Sequence, residues 1–230
     1  MALSLRLALI SALVPPGARV CDIGTDHGYL PIELIKRGDI KSVIATDIRK
    51  MPLASAEKNI KSAGVGGITL RLCDGLEGIA QNEVDTVITA GMGGEVIASI
   101  LARSAIPTAS PAPLLILQPT TSPEFLRRFL CENGFEIISD TAICENAKLY
   151  SVITARYTGE KYGCGEEFYY CGKVDPRTED GAKYIEKQYS RLKKCADALE
   201  DIPEKWEEYK RLAEISAALK KKLTENRNGI

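Results

Sequence analysis

The side chains best suited to chemistry crowd into one decapeptide, residues 20–29, Val-Cys-Asp-Ile-Gly-Thr-Asp-His-Gly-Tyr. Asp22, Asp26 and the sole histidine, His27, sit beside Gly24 and Gly28, and Tyr29 closes the segment. An apolar run that passes into glycine and then into a helix start is the pattern of a buried strand, a tight turn and a helix, where ligands meet exposed backbone N–H groups. Two further apolar runs end in a carboxylate, at Asp47 before Ile48 and at Asp74 before Gly75, and another runs into Gly91-Met92-Gly93-Gly94.

The glycine spacing narrows the ligand. A pyrophosphate turn carries Gly-x-Gly-x-x-Gly because the backbone must approach two phosphates at a helix N-terminus. Only Gly24 and Gly28 are present here, and no Gly-Lys-Ser/Thr occurs in the chain. A phosphate-free nucleoside fits better, and S-adenosylmethionine, an adenosine bearing a sulfonium and an amino-acid tail, is one. It calls for a carboxylate on the ribose hydroxyls, a polar group at the adenine edge and close backbone approach around the methionine. Asp47 with Ile48 is the ribose candidate and Asp74 with Gly75 the adenine candidate. Asp22, Gly24, Gly91 and Met92 complete the cofactor set, Met92 against the methionine or the target base. The plainer reading of each is structural: aspartates at strand ends form turns and caps, and methionines fill gaps.

These groups need elements to hold them at one edge. Apolar runs at residues 19–23, 42–48, 68–73, 84–90 and 114–117 read as strands, alternating with helices at 31–37, 53–63, 94–101 and 123–133. A first helix is capped by Ser4 and stopped by Pro15-Pro16, and Ser122, Pro123 and Glu124 mark the start of the helix before Gly134. Residues 135–144 and 149–157 share too short a joint for a crossover, so they pair antiparallel. The result is an α/β, Rossmann-like sheet of five parallel strands plus an antiparallel hairpin, whose ligands bind beyond the carboxyl ends of the strands.

Beyond this sheet domain, residues 1–157, a glycine- and aromatic-rich stretch at 158–177 reads as a linker packed on the core. Residues 178–230 read as helical. Ile185, Tyr189, Leu192, Ala196 and Leu199 form a heptad seam, and a second helix at 204–223 buries Trp206, Tyr209, Leu212, Ile215, Leu219 and Leu223. A short turn between them makes an antiparallel coiled-coil hairpin. Such a seam also suits a dimer, so the oligomeric state stays open, with a monomer as the working expectation.

Composition removes several classes. Thirty basic against 31 acidic residues lack the positive excess of a dedicated nucleic-acid binder, so RNA contacts must be local. Seven scattered cysteines without a Cys-x-x-Cys, and one histidine, argue against a metal site and a disulfide framework and fit a reducing, cytoplasmic setting. The apolar run at residues 7–14 is too short to span a membrane.

The string Asp22-Ile-Gly-Thr-Asp-His-Gly-Tyr-Leu-Pro31, together with Asp74-Gly75-Leu76, Ala90-Gly91-Met92-Gly93-Gly94, Leu115-Ile-Leu-Gln-Pro119 and Leu3-Ser4-Leu5-Arg6-Leu7, closely resembles the bacterial TrmK family. Those enzymes are S-adenosylmethionine-dependent methyltransferases acting on N1 of the adenine at position twenty-two, in the D-arm of tRNA. The resemblance runs over the whole chain and implies tRNA as partner. Adenine N1 carries its own lone pair and attacks the methyl group directly, so the protein mainly aligns the reactants and receives a proton from the cationic product. Asp26 and His27 are the candidates for that proton, and Tyr29 for orienting an extruded base. Against each stands a structural role, backbone hydrogen bonding for His27 and core packing for Tyr29.

Candidate phosphate contacts are Lys36-Arg37 with Lys41, Arg49-Lys50, Arg127-Arg128, Arg6 at the mouth of the site and Lys220-Lys221-Lys222. Two rivals remain open: another RNA position or a small molecule as methyl acceptor, and a non-enzymatic partner-binding protein on a vestigial nucleotide fold.

Overall fold

The structure, a computed structural model, describes residues 3–227. Its first helix, α1 (Leu5–Leu13), starts where Ser4 Oγ accepts the Leu7 N–H at 3.4 Å and stops two residues before Pro15. The chain then alternates through β1 (Arg19–Ile23), α2 (Tyr29–Lys36), β2 (Ser42–Asp47), α3 (Lys50–Ala63), β3 (Ile68–Leu72), β4 (Thr86–Gly93), α4 (Gly94–Ala102), β5 (Leu114–Thr121) and α5 (Pro123–Glu132). Two long strands follow, β6 (Phe135–Glu145) and β7 (Lys148–Tyr157).

All seven strands form one mixed sheet in the order β3-β2-β1-β4-β5-β7-β6. The first five pair in parallel, whereas β7 runs antiparallel to both β5 and β6. The strand order reverses between β1 and β4, which opens a crevice at their carboxyl ends. Each face of the sheet carries its own apolar layer, as a doubly wound sheet requires. Ile10 of α1, Val14 just after it, and Leu30 and Leu34 of α2 cover one face, and Ile97, Leu101, Leu126 and Leu130 of α4 and α5 cover the other.

Turns anchored by buried Leu76 and Ile79 join β3 to β4. Two local expectations differ from the structure. The Gly91–Gly93 stretch is strand rather than loop: β4 and β5 continue side by side to Gly93 and Thr121, with register shifts opposite Pro119, which has no N–H to give the ladder. Ser122 occupies the N-cap position of α5 in a left-handed conformation, φ 49°, and its side chain makes no capping bond.

Residues 158–177 include a helix, α6 (Glu166–Cys171), and lay Tyr162, Phe168 and Tyr169 against the sheet core. Two long helices end the chain, α7 (Glu179–Asp197), capped by Thr178 Oγ1 on the Gly181 N–H at 3.1 Å, and α8 (Trp206–Arg227). They bury Ile185, Leu192 and Ala196 against Leu212, Ile215, Leu219 and Leu223. Trp206 is not among them. It is 46% exposed, because it lies at the turn end of the pair, past the last buried position of α7, and stacks on Tyr209 instead.

Candidate active site

The opening turn is built by β2. Gly24 N–H and Thr25 N–H both donate to the Thr46 carbonyl, at 2.8 and 2.9 Å, and Gly28 N–H closes the turn on the Thr25 carbonyl at 3.0 Å. Gly24 has φ +74°, which favours glycine, and a Cβ there would stand 2.2 Å from Met92 Cε, so any larger residue would push the methionine end aside. Asp26 takes φ 51°, a left-handed conformation that aspartate tolerates better than most residues.

Beyond the ends of β1, β2 and β4 lies a cavity of about 460 Å³, in the size range of small-molecule sites. It gathers Asp22, Gly24, Asp26, His27, Tyr29, Asp47, Ile48, Gly91 and Met92 from the residues named on sequence grounds. Asp74 and Gly75 are not on its wall. The Asp74 carboxylate is engaged by Arg103 at 2.8 and 3.2 Å, which holds it below the usual carboxylate range, and Gly75 packs under Ile100.

Two carboxylates dominate the inner wall. Asp22 is 4% exposed, and burial pushes its carboxyl up to about 6, with the neighbouring charge of Asp47 adding to the effect. Asp47 is also buried; its Oδ1 accepts the Arg49 N–H at 2.9 Å, and the Arg49 guanidinium stands 3.7 Å away over the opening. A wall of this sign repels phosphate and suits a ligand with hydroxyls to donate and positive charge to share. That chemistry, with the glycine cradle at Gly24, fits S-adenosylmethionine.

The mouth has a different character. His27 and Asp26 are both exposed, with Nε2 and Oδ2 3.5 Å apart, and the His27 ring stacks on Tyr29 at 5.4 Å between centroids. The His27 carbonyl accepts from Asn59 at 2.9 Å. Arg6, reaching in from α1, completes this rim.

One residue of the site escapes a sequence reading. Gln118, fully buried within β5, accepts both the Gly91 N–H at 3.0 Å and the Arg6 Nη1–H at 2.9 Å on Oε1, and its amide donates to the Pro119 carbonyl. It thereby ties α1 to the β4 end. The only signal was its place in the Gln-Pro pair at a strand end. Arg6 is further held by Glu145, through its N–H at 3.1 Å, and lies over the Tyr150 ring.

The basic pairs divide sharply. Arg127 is fully buried and cannot reach a phosphate: its Nε donates to Asp140 at 2.7 Å, and its other nitrogens serve Tyr169 and Tyr170 carbonyls, Ser151 and Tyr184. Arg128 pairs with Glu166, and Arg37 donates to the Ser11 and Val14 carbonyls. Lys222 reaches the Gly172 carbonyl at 3.3 Å. Lys36, Lys41, Arg49, Lys50, Lys220 and Lys221 are exposed. Among the described residues no cluster of metal-ligating side chains occurs, and no helix is long and apolar enough to cross a membrane.

Comparison with known proteins agrees with this site. A family model described as a methyltransferase domain matches residues 3–153. The tRNA (adenine(22)-N(1))-methyltransferase of Bacillus subtilis is 34% identical over 154 residues, 66% of this chain and 64% of that protein, so the match spans just under two thirds of the curated relative. The crystal structure of Streptococcus pneumoniae Sp1610 superposes with a TM-score of 0.83 at 32% identity, covering 96% of this chain and 100% of that one; the same protein was also solved in complex with S-adenosyl-L-methionine. The B. subtilis m1A22 tRNA methyltransferase TrmK superposes with a TM-score of 0.80 at 27% identity, over 96% of this chain and 99% of that one.

Proposed function

This chain belongs to the methyltransferase-domain family and, within it, to the TrmK-like tRNA methyltransferases, and from that premise we propose that it methylates N1 of an adenine, position twenty-two, in the D-arm of tRNA. The observation that carries the reading is the pair of buried carboxylates, Asp22 and Asp47, on adjacent strand ends of one cavity that also opens onto Asp26, His27 and Tyr29.

S-adenosylmethionine supplies a methyl group made electrophilic by its sulfonium. Asp47 would accept its ribose hydroxyls, Asp22 would face its positively charged methionine end, and Gly24, Ile48, Gly91 and Met92 would pack around it. Asp74 and Gly75 stand apart from this set, so the adenine contact passes to the residues on the wall around Ile48. Tyr29, stacked against His27, offers a face for the target base at the mouth. With the cofactor on the inner wall and the base at the mouth, the two would meet inside one cavity, the proximity that a direct displacement needs.

Once methylated, N1 carries a positive charge that makes the exocyclic amine acidic. The Asp26 carboxylate stabilises that cation, and His27 Nε2 receives the proton and releases it to solvent, an assignment favoured by their exposure and their 3.5 Å separation. Arg6, held by Gln118 and Glu145, fixes α1 as one wall of the mouth. In this reading residues 1–157 are the catalytic domain, 158–177 the packed connector and 178–230 a coiled-coil appendage that helps to hold tRNA, a division whose ends, residues 1–2 and 228–230, lie outside the described residues; the setting is cytoplasmic.

Profiling modified nucleosides of tRNA from cells with and without the gene tests this function. Loss of N1-methyladenosine in the deletion, restored by the wild-type gene and not by Asp47→Ala, is the expected result; an unchanged N1-methyladenosine level overturns it.

A further inference from the structure

A second concavity lies beside the first, between the β5 end, the β7 start and α7. Its floor holds Gln188, 7% exposed, whose side-chain oxygen is buried with no hydrogen-bond partner among the described residues. Leaving such an acceptor dry and unpaired costs about 1–3 kcal/mol, so a donor brought into the concavity that Gln188 lines would be stabilised by it. On the rim, Lys187 is exposed and has no ion pair among the described residues, and Arg191 pairs with Glu124 at 3.1 Å while leaving other guanidinium N–H groups for an anion. The start of α5 adds free backbone N–H groups behind Pro123.

The two concavities share an edge. Tyr150 lines the second, and its ring lies under Arg6, which lines the first, with 5.2 Å between guanidinium and centroid. A chain of nucleotides whose base enters the catalytic cavity and that leaves it on the Arg6 side would meet the second concavity across this edge.

We propose that this concavity is a subsite for a ribonucleotide flanking the target adenosine, its phosphate on Lys187 and Arg191 and a 2′-hydroxyl or base N–H on the Gln188 oxygen. The inference rests on the tRNA reading of the catalytic cavity and adds to it a defined foothold outside the catalytic cavity. An acceptor and two cations in one small space match a sugar-phosphate unit, which is a donor beside an anion; a purely anionic peptide would leave Gln188 unpaired. One phosphate held by Lys187 contributes about one unit to the salt dependence of binding.

The test measures binding of an unmodified tRNA transcript to the full-length protein between about 50 and 200 mM salt. Lys187→Ala is expected to weaken binding several-fold and to lower the log–log salt slope by about one. Gln188→Leu, which removes the unpaired oxygen, is expected to weaken binding about fivefold at unchanged slope, with S-adenosylmethionine affinity intact in both. A merely structural glutamine would leave RNA affinity unmoved. Wild-type protein that methylates tRNA while both variants keep its affinity and slope overturns the subsite and spares the reaction; wild-type protein that neither binds nor methylates tRNA overturns both.

Discussion

Two places in this molecule bury charge, and they do so in opposite ways. At the joint between the sheet and the C-terminal helices, Arg127 and Asp140 meet at 2.7 Å with neither side chain exposed, and every Arg127 nitrogen has an acceptor in the protein. Even the backbone yields to this pair: Gly172 runs at φ +55°, and a Cβ there would stand 2.0 Å from Asp140 Oδ2. At the carboxyl edge of the sheet, Asp22 and Asp47 are buried side by side with like charge and no buried cation to answer them. In the first arrangement the two charges answer each other inside the protein, with Asp140 Oδ1 alone of the pair's polar atoms left without a hydrogen-bond partner among the described residues, and it serves the fold. The second is incomplete until a ligand brings hydroxyls and positive charge, and it serves binding.

The contrast breaks most visibly at Arg127. Arg127→Leu strands the Asp140 carboxylate in the interior and should cost about 3–5 kcal/mol of stability, read by urea denaturation. A loss under 1 kcal/mol would mean that the pair is dispensable and the contrast empty.

Asp22→Asn should act in the other direction. A carboxyl whose folded value, about 6, stands above its unfolded value of 3.8 contributes stability that is fully present below pH 3.8 and is lost as pH rises through 6. Near neutrality the ligand-free protein therefore holds a costly anion, and the asparagine variant should gain up to about 3 kcal/mol while losing S-adenosylmethionine affinity. Wild-type affinity should in turn fall as pH drops below 6, because protonation of Asp22 removes its charge. Loss of stability in the variant at pH 7 would contradict this.

Asp47→Ala should weaken S-adenosylmethionine tenfold to a hundredfold by calorimetry, the loss of one or two hydrogen bonds to a charged acceptor. Folding should survive, since the Arg49 N–H left behind faces the opening. Gly24→Ala has the smallest expected effect, about 1–2 kcal/mol for the left-handed backbone, with Met92 displaced by the new methyl and cofactor affinity reduced. An alanine variant that binds as tightly as wild type would show that Met92 moves without consequence.

What was legible beforehand follows the same division. The α/β class and the gathering of Asp22, Gly24, Asp47 and Met92 at one edge come from local patterns, because a strand that ends in glycine or aspartate announces both its direction and its ligand-facing end. Partnerships across the chain do not announce themselves. Gln118 meets Arg6 over 112 positions, and Arg127 meets Tyr184 over 57, so the buried arginine looked like half of a solvated basic pair. Asp74 misled for a related reason: its strand end is right, but Arg103, 29 positions on, takes the carboxylate away from the cavity. Spacing alone puts Trp206 in the helical seam, and spacing does not say where the partner helix stops.

The central claim is that the paired buried carboxylates, Asp22 and Asp47, belong to a tRNA adenine-N1 methyltransferase. Incubating the protein with methyl-labelled S-adenosylmethionine and an unmodified tRNA transcript, then mapping the label, tests it most directly. The account predicts a single N1-methyladenosine at position twenty-two of the D-arm, absent when that adenine is replaced by guanine. Label on another atom or position, or no transfer from protein that binds the cofactor, would contradict it.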